Sequence, residues 1–177
     1  MQAFFQWVHR TRLMALSVIS VFLLTATACS TASVSDDDNN TVSQFSGPAS
    51  HSVNGFQLRS WAINLTQINV GRIARSATDL VIVDANGVTR SQIAQMKRRP
   101  DGGRRIVLGY LNVGEAETFR SYWRSSWNRS RPDWIGRPNR NWPGHYYVEF
   151  WSPEWRSIIA SSTDNIVAKG FDGVFLD

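Results

Sequence analysis

The chain has 177 residues, a single cysteine and a formal net charge of +5 at pH 7. Hydrophobic residues make up 42% and charged residues 19%, which excludes global disorder. One cysteine excludes an intrachain disulfide framework and a metal site built from cysteines alone. The length suits one domain of ordinary size, or part of a larger one.

The first residues have the pattern of a secretion signal that ends at a lipidation site. Arg10 and Arg12 precede an apolar run at residues 13–24, and small residues then lead to Cys29. The run is short for a transmembrane helix but typical of a signal-peptide core. The sequence therefore predicts a lipoprotein signal peptide over residues 1–28, with Cys29 lipidated. The alternative is a plain secretory signal with Cys29 incidental.

A polar segment at residues 29–55 follows, rich in Ser, Thr, Asn and Asp, and it predicts a flexible tether. The predicted location is the bacterial cell envelope, with the membrane as a partner through the N-terminal lipid, or secretion. Without the two signal-peptide arginines the formal charge falls to +3, which is a weak argument for nucleic acid. No nucleic-acid partner is predicted.

The predicted domain covers residues 56–177 and begins with alternating strand and helix patterns. An alternating run at residues 57–63 predicts a strand, and residues 64–74 have helix-like apolar spacing. The aliphatic run at residues 79–84 is typical of a strand buried on both faces. A short helix is expected next, capped by Thr89 or Ser91.

The same alternation continues to the last residue. Residues 105–111 form another aliphatic run, and residues 116–122 are expected to begin a helix. A helix from Pro153 to Gly170 follows, because proline suits a first turn and glycine a helix end. Residues 173–177 predict a final buried strand.

Strands that alternate with helices predict an α/β fold with a parallel sheet. The glycine-rich fingerprint of dinucleotide binding and the phosphate-loop motif are both absent from the sequence. A (β/α)8 TIM barrel usually takes roughly 250 residues, and about four units can be counted here. The expectation is therefore a TIM barrel, apparently truncated after about the fourth strand.

Acidic and amide side chains recur where the predicted strands end. Asp84 and Asp177 each end a strand, and Asn112, Glu115 and Glu117 follow another. One acid after a strand is more often a cap or turn residue. Their recurrence favours an active site, because parallel barrels place their chemistry at the carboxyl ends of strands. Glycoside hydrolysis in particular needs two carboxylates that flank one bond.

A long stretch between Phe119 and Pro153 interleaves tryptophans with arginines, a pattern that suits a saccharide cleft. About half of the tryptophans are expected to be structural, and Trp142 is predicted to contact substrate. Single-stranded nucleic acid is a further possibility, disfavoured by the secretion signal. His51 and His145 are isolated, and the sequence implies no metal and no cofactor. The tryptophans concerned are Trp123, Trp127, Trp134, Trp142 and Trp151, with Trp155 just beyond the stretch.

Three segments together resemble the signature of glycoside hydrolase family 114. They are residues 109–123 (GYLNVGEAETFRSYW), residues 141–159 with Asn-Trp-Pro-Gly and Pro-Glu-Trp, and residues 170–177 (GFDGVFLD). The resemblance implies a secreted TIM-barrel hydrolase of the endo-α-1,4-polygalactosaminidase type that acts by a retaining mechanism. Its substrate would be a galactosamine-containing polysaccharide.

The resemblance also implies roles for individual residues. Asp177 aligns with the expected nucleophile, and four residues would line the sugar subsite: Asp84, Tyr110, Asn112 and Glu115. The general acid is expected to be a glutamate on a later strand, beyond residue 177, although Glu115 is an alternative. The competing hypotheses are a non-catalytic saccharide-binding envelope lipoprotein and an inactive truncated fragment.

Overall fold

The computed structural model describes residues 41–44, 51–53 and 56–177. The predicted signal peptide and Cys29 lie outside the described residues, so both stay predictions. Two described segments, residues 41–44 and 51–53, fall within the predicted tether and have strand backbone. No helix within the described ranges is long and apolar enough to cross a membrane.

The described part contains ten strands, three α-helices and two short 3-10 helices. The helices are α1 (Val70–Arg75), α2 (Arg90–Met96) and α3 (Pro153–Lys169). The strands are β1 (Thr41–Gln44), β2 (His51–Val53), β3 (Phe56–Leu58), β4 (Ser60–Asn64), β5 (Leu80–Asp84), β6 (Ile106–Leu111), β7 (Glu115–Glu117), β8 (Ile135–Pro138), β9 (His145–Val148) and β10 (Gly173–Leu176).

The central sheet has the strand order β1-β4-β5-β6-β10. Strands β4, β5, β6 and β10 are mutually parallel, whereas β1 pairs with β4 in the antiparallel sense. Helices α1 and α2 connect successive parallel strands, and α3 leads into β10. The predicted α/β fold with a parallel sheet is therefore confirmed.

Apolar side chains cover both faces of the parallel sheet. Alternate residues of each strand point to opposite faces, so one strand contributes to two clusters. One cluster joins the sheet to the helices and includes Val81, Val83, Val107, Ile93, Met96, Trp155, Ile159, Ile166 and Val174. The other lies on the opposite face and includes Leu58, Leu80, Ile82, Ile106, Leu108 and Tyr110.

The helix ends follow local sequence signals. Thr89, rather than Ser91, caps α2, and with Gln92 it forms a reciprocal capping box. Helix α3 starts with Pro153 and ends at Gly170, which has φ 107°. A left-handed backbone there is accessible to glycine at little cost, so the helix stops cleanly.

The amino ends of the parallel strands are held by buried charged side chains. Arg105 is fully buried and donates to the carbonyls of Ser76, Thr78 and Met96, at 2.6, 2.8 and 2.5 Å. Asp79, 2% exposed, accepts from the Ser60 amide at 3.1 Å. These side chains form hydrogen bonds with backbone groups that would otherwise be buried without a partner. This end of the sheet therefore contributes to the stability of the fold.

An excursion of the chain, residues 112–152, separates β6 from α3. It contains a second sheet with the order β7-β9-β8, in which all pairs are antiparallel. The prediction of a helix beginning at residues 116–122 is wrong. Glu115–Glu117 instead pairs with β9, and the Tyr122 hydroxyl accepts from the Glu117 amide at 2.8 Å.

Candidate functional site

Three side chains of the predicted site lie on neighbouring strands at the carboxyl edge of the parallel sheet. Asp84 is directly opposite Tyr110 in register, and Leu176, just before Asp177, is opposite Leu111. The alternation of the strands puts Asp84, Tyr110 and Asp177 on one face. We call this set the carboxylate row.

Asp177 contacts the hydroxyl of Tyr110, which donates a hydrogen bond to Asp177 Oδ2. Backbone bonds hold the end of the strand, because the Val113 amide donates to the Asp177 carbonyl at 2.8 Å. Burial raises the pKa of Tyr110, and the hydrogen bond to Asp177 raises it further. Tyr110 is therefore a neutral donor aimed at an exposed carboxylate.

Asp84 is bound to Arg120, an arginine that the sequence did not single out as a site residue. Arg120 Nη1 lies 2.8 Å from Asp84, and its Nε lies 2.6 Å from Glu117 Oε2. Burial alone would lower the pKa of Arg120, but the bonds to Glu117 and Asp84 outweigh it and raise the pKa. The guanidinium therefore joins β5 to the excursion. The feature of the sequence that could have indicated this ion pair is the position of Arg120, three residues after Glu117.

Glu115 is fixed by two side chains from the hairpin that it pairs with. Asn139 donates to Glu115 Oε1 at 2.6 Å, and His145 Nδ1 lies 3.1 Å from Oε2. His145 Nε2 also lies 3.9 Å from Glu117. The sequence left His145 isolated and missed Asn139, because both depend on the pairing of β7 with β9.

The side chain of Asn112 binds backbone amides of the turn that follows β6. Its Oδ1 accepts from the amides of Gly114 and Glu115, at 3.1 and 2.9 Å, and the residue is 7% exposed. It shapes the turn that carries Glu115 away from β6. Contact between Asn112 and a sugar stays a prediction.

The six tryptophans from Trp123 to Trp155 divide into a buried group, an exposed pair and the half-buried Trp123, so about half are structural, as expected. Trp127, Trp134 and Trp155 are at most 8% exposed and pack edge to face or tilted against one another. Trp142 and Trp151 are 64% and 60% exposed. Trp142 lies beside His145, the ring that contacts Glu115, with 6.2 Å between the centroids of Trp142 and His145.

A cleft of about 440 Å³ opens beside Asp84. Its lining includes Asp84, Arg120, Phe119 and Ile68, so it combines a carboxylate, a cation and apolar surface. This mixture suits a ligand with both hydroxyl groups and apolar faces. Within the described residues, no group of three or more His, Cys, Asp or Glu side chains is placed to hold a metal ion.

Proteins of known sequence share this region. An uncharacterized protein of Methanocaldococcus jannaschii is 36% identical over 124 residues, covering 66% of this chain and 35% of that protein. An uncharacterized protein of Deinococcus radiodurans is 33% identical, covering 68% of this chain and 40% of that protein. The chain thus spans well under half the length of these relatives.

Two solved structures match part of this chain. The glycoside hydrolase domain of PelA from Pseudomonas aeruginosa matches 66% of this chain and 42% of its own length, with 15% identity and a TM-score of 0.50. Aspergillus fumigatus Ega3, solved in complex with galactosamine, matches 66% of this chain and 43% of its own, with 24% identity and a TM-score of 0.48. A family model for glycoside hydrolases of family GH114 matches residues 42–177, so the chain belongs to family GH114.

Proposed function

We propose that this chain is part of a lipid-anchored glycoside hydrolase that cleaves galactosamine-containing polysaccharide with retention of configuration, with Asp177 as the nucleophile. The observation that carries the proposal is the position of Asp177. It is an exposed carboxylate at the carboxyl end of a parallel strand, and a buried tyrosine donates to it. Active sites of parallel barrels lie at this end.

The proposed chemistry uses two carboxyl groups in two steps. Asp177 attacks the anomeric carbon, the bond to the leaving oxygen breaks, and an acid donates its proton to that oxygen. Water then attacks the anomeric carbon of the glycosyl-enzyme ester, the bond from that carbon to Asp177 breaks and frees the carboxylate, and the same group, now a base, accepts a proton from the water. The Tyr110 hydroxyl orients Asp177 for the attack, since its raised pKa keeps the proton on the phenol.

Neither glutamate of the excursion suits the acid role, because their oxygens are already engaged. Glu117 accepts from Arg120 with both oxygens, at 2.6 and 3.2 Å, and is 3% exposed. Glu115 binds Asn139 and His145 with its two oxygens. We therefore assign the acid to the later strand that the family resemblance implies.

The charge of the site favours an amino sugar. The carboxylates of Asp84, Glu115, Glu117 and Asp177 outnumber Arg120, the cation that is paired among them. A protonated amine on the sugar would gain Coulomb energy here that a neutral hydroxyl would not. The proposed anchor is the lipid on Cys29, which would hold the protein at the envelope.

Asp177→Asn is the direct test of the proposal. It keeps a group that can accept from Tyr110 but removes the nucleophile, so hydrolysis of α-1,4-galactosamine oligomers by the intact protein, which includes the later strand, should fall at least about 10³-fold, as judged by typical losses on removing a nucleophile. Products would be quantified by mass spectrometry, and the anomer formed first would be read by NMR. Undiminished turnover, or an inverted anomer, would contradict the proposal.

A saccharide-binding protein without catalysis is the second candidate, favoured by the exposed rings of Phe119 and Trp142. In that case the intact wild-type protein, with the later strand present, binds galactosamine oligomers but releases no product. Binding that is equal in wild type and Asp177→Asn, with no turnover in either, would support this candidate over the hydrolase.

A further inference from the structure

The exposed large apolar side chains are concentrated in one part of the chain. Among residues 56–177, five such side chains are at least 38% exposed, and all belong to the excursion. Clustered exposed rings usually mark a binding surface. The five are Phe119, Trp142, Tyr147, Phe150 and Trp151.

One group of these rings belongs to the site already described. Phe119 and Trp142 both contact His145, with centroid distances of 5.6 and 6.2 Å. Phe119 also lines the cleft beside Asp84. These two rings therefore lie at the Asp84 end of the carboxylate row.

Phe150 and Trp151 form a separate exposed pair. Their centroids are 4.9 Å apart, their planes are nearly perpendicular at 82°, and they are 50% and 60% exposed. Edge-to-face contact holds the two rings in a fixed arrangement. Two rings of this size that stay exposed forgo the free energy of burial, and such a patch points to a partner that covers them.

Backbone and side-chain bonds place this pair at the other end of the row. The Val148 amide donates to the Gly114 carbonyl at 3.2 Å, and the Trp155 indole donates to the Val113 carbonyl at 2.9 Å. The Val113 amide in turn donates to the Asp177 carbonyl. The turn that carries Phe150 and Trp151 therefore lies over the segment that follows β6, next to Asp177.

Two carboxylates flank the pair along the chain. Glu149 and Glu154 are exposed, and neither is in an ion pair with a described residue. The Ser152 hydroxyl donates to Glu154 at 2.8 Å and lowers the pKa of its carboxyl. Aromatic rings between two anions suit a ring that has C–H faces and also carries a positive charge.

We propose that Phe150 and Trp151 form a distal subsite that binds an amino-sugar unit of the polysaccharide, beyond the unit held at Asp177. This inference rests on the proposed function. Flat C–H faces of the sugar lie against the indole, and its ammonium lies near Glu149 or Glu154. A polysaccharide along the row would contact aromatic rings at both ends, which suits cleavage within a chain.

The test compares long and short ligands on the full chain. Isothermal titration would measure the binding of a galactosamine disaccharide and of a long galactosamine oligomer to wild type, Trp151→Ala and Trp151→Phe. Trp151→Ala should weaken oligomer binding about tenfold, in the range of one aromatic contact, and leave the disaccharide within twofold. Trp151→Phe, which keeps a ring, should restore most of the oligomer affinity.

Each other outcome overturns the inference. If wild type and Trp151→Ala bind the oligomer with equal affinity, the distal subsite is overturned but the proposed function is not. The same follows if Trp151→Ala loses equal affinity for the oligomer and the disaccharide. A wild-type chain that binds neither ligand overturns the proposed function as well. If the two rings instead bind a second copy of the chain, sedimentation would detect a dimer of the wild type. Trp151→Ala would then abolish the dimer without changing the affinity for the oligomer, and this outcome also overturns the inference. Unchanged melting temperatures would show that the variants fold.

Discussion

At the scale of single residues, Arg105 is fully buried, and within the described residues its charge is stabilised by backbone carbonyls, not by a carboxylate bound to it. Three backbone carbonyls, from the ends of α1 and α2 and from Thr78 in the loop before β5, accept from its guanidinium. Burial lowers the pKa of Arg105, and the hydrogen bonds to these carbonyls hold its side chain in place. One side chain thus satisfies backbone groups of three elements.

Arg105→Met should destabilise the fold strongly, because it fills the space but donates no hydrogen bond. Each buried carbonyl left unsatisfied costs about 1–3 kcal/mol, so a loss of about 3–5 kcal/mol is expected. Arg105→Lys should lose less, since an ammonium can still reach a carbonyl. Urea unfolding followed by circular dichroism measures both, and a loss below about 1 kcal/mol for the methionine variant would refute the assignment.

The buried tyrosines should make the fold sensitive to alkali. Burial is the largest cause that raises the pKa of both Tyr110 and Tyr122 above the ordinary value of 10.0. The folded state therefore keeps the phenolic protons to a higher pH than the unfolded chain. Their contribution to stability is complete below pH 10 and is lost as the pH rises toward the raised values.

Tyr122→Phe removes one of these protons and should flatten the fall in melting temperature between pH 9 and about pH 11. It should also lower stability at neutral pH by about 1 kcal/mol, because the Glu117 amide loses its acceptor. Tyr147→Phe, at an exposed ring, is the matched control. Parallel alkaline slopes for wild type and Tyr122→Phe would show that the phenol is not coupled to folding.

Among the elements, α3 packs closely on β6 because β6 carries a glycine where the helix crosses. A Cβ atom at Gly109 would lie 2.5 Å from Ile166 Cγ2 and 3.4 Å from the Ala85 side chain. Real side chains do not approach so closely, so either the helix or the isoleucine would have to move. The absence of a side chain at Gly109 therefore sets the distance between strand and helix.

Gly109→Ala should cost about 1–3 kcal/mol through overpacking. Ile166→Ala alone leaves a cavity and should cost about 2–5 kcal/mol. The double variant should cost clearly less than the two losses added together, because the new methyl group occupies part of that cavity. Urea unfolding of the three variants measures the coupling, and strictly additive losses would show that the two residues do not share this space.

The elements that could be predicted from sequence are those fixed by local signals. The aliphatic runs of β5, β6 and β10 appear at residues 80–84, 106–111 and 173–176, and α3 runs between its proline and glycine signals. The excursion could not be predicted in this way. Its strands depend on pairings between distant residues, such as Glu115 with Tyr147, which no local pattern encodes.

The same division applies to the candidate site. Asp84 and Asp177 could be placed together from strand ends, because parallel strands bring their carboxyl ends to one edge. Tyr110 is expected at the site only through the family resemblance. Arg120, Asn139 and His145 could not be placed, since their partners are set by how the excursion folds back. Local patterns therefore predicted the carboxylates, and tertiary structure supplied the groups that hold them.

At the scale of the whole molecule, the site differs in charge from the rest of the chain. The chain carries a formal charge of +5. The four carboxylates of Asp84, Glu115, Glu117 and Asp177, set against Arg120, leave this part of the molecule negative. Much of the arginine in the excursion is exposed and instead stacks on rings, as Arg131 does on Tyr146 at 4.9 Å.

This contrast predicts how binding should depend on salt and on the charge of the ligand. If the carboxylates bind a protonated amino sugar, raising the ionic strength from about 0.01 to about 0.15 M shortens the screening length from about 30 to about 8 Å and should weaken galactosamine-oligomer binding several-fold. N-acetylation of the same oligomer removes its charge and should abolish that salt dependence. Titration calorimetry at several salt concentrations measures both effects. Binding of the free amine that strengthens with salt would instead place the ligand on the basic surface, because screening would then be relieving repulsion.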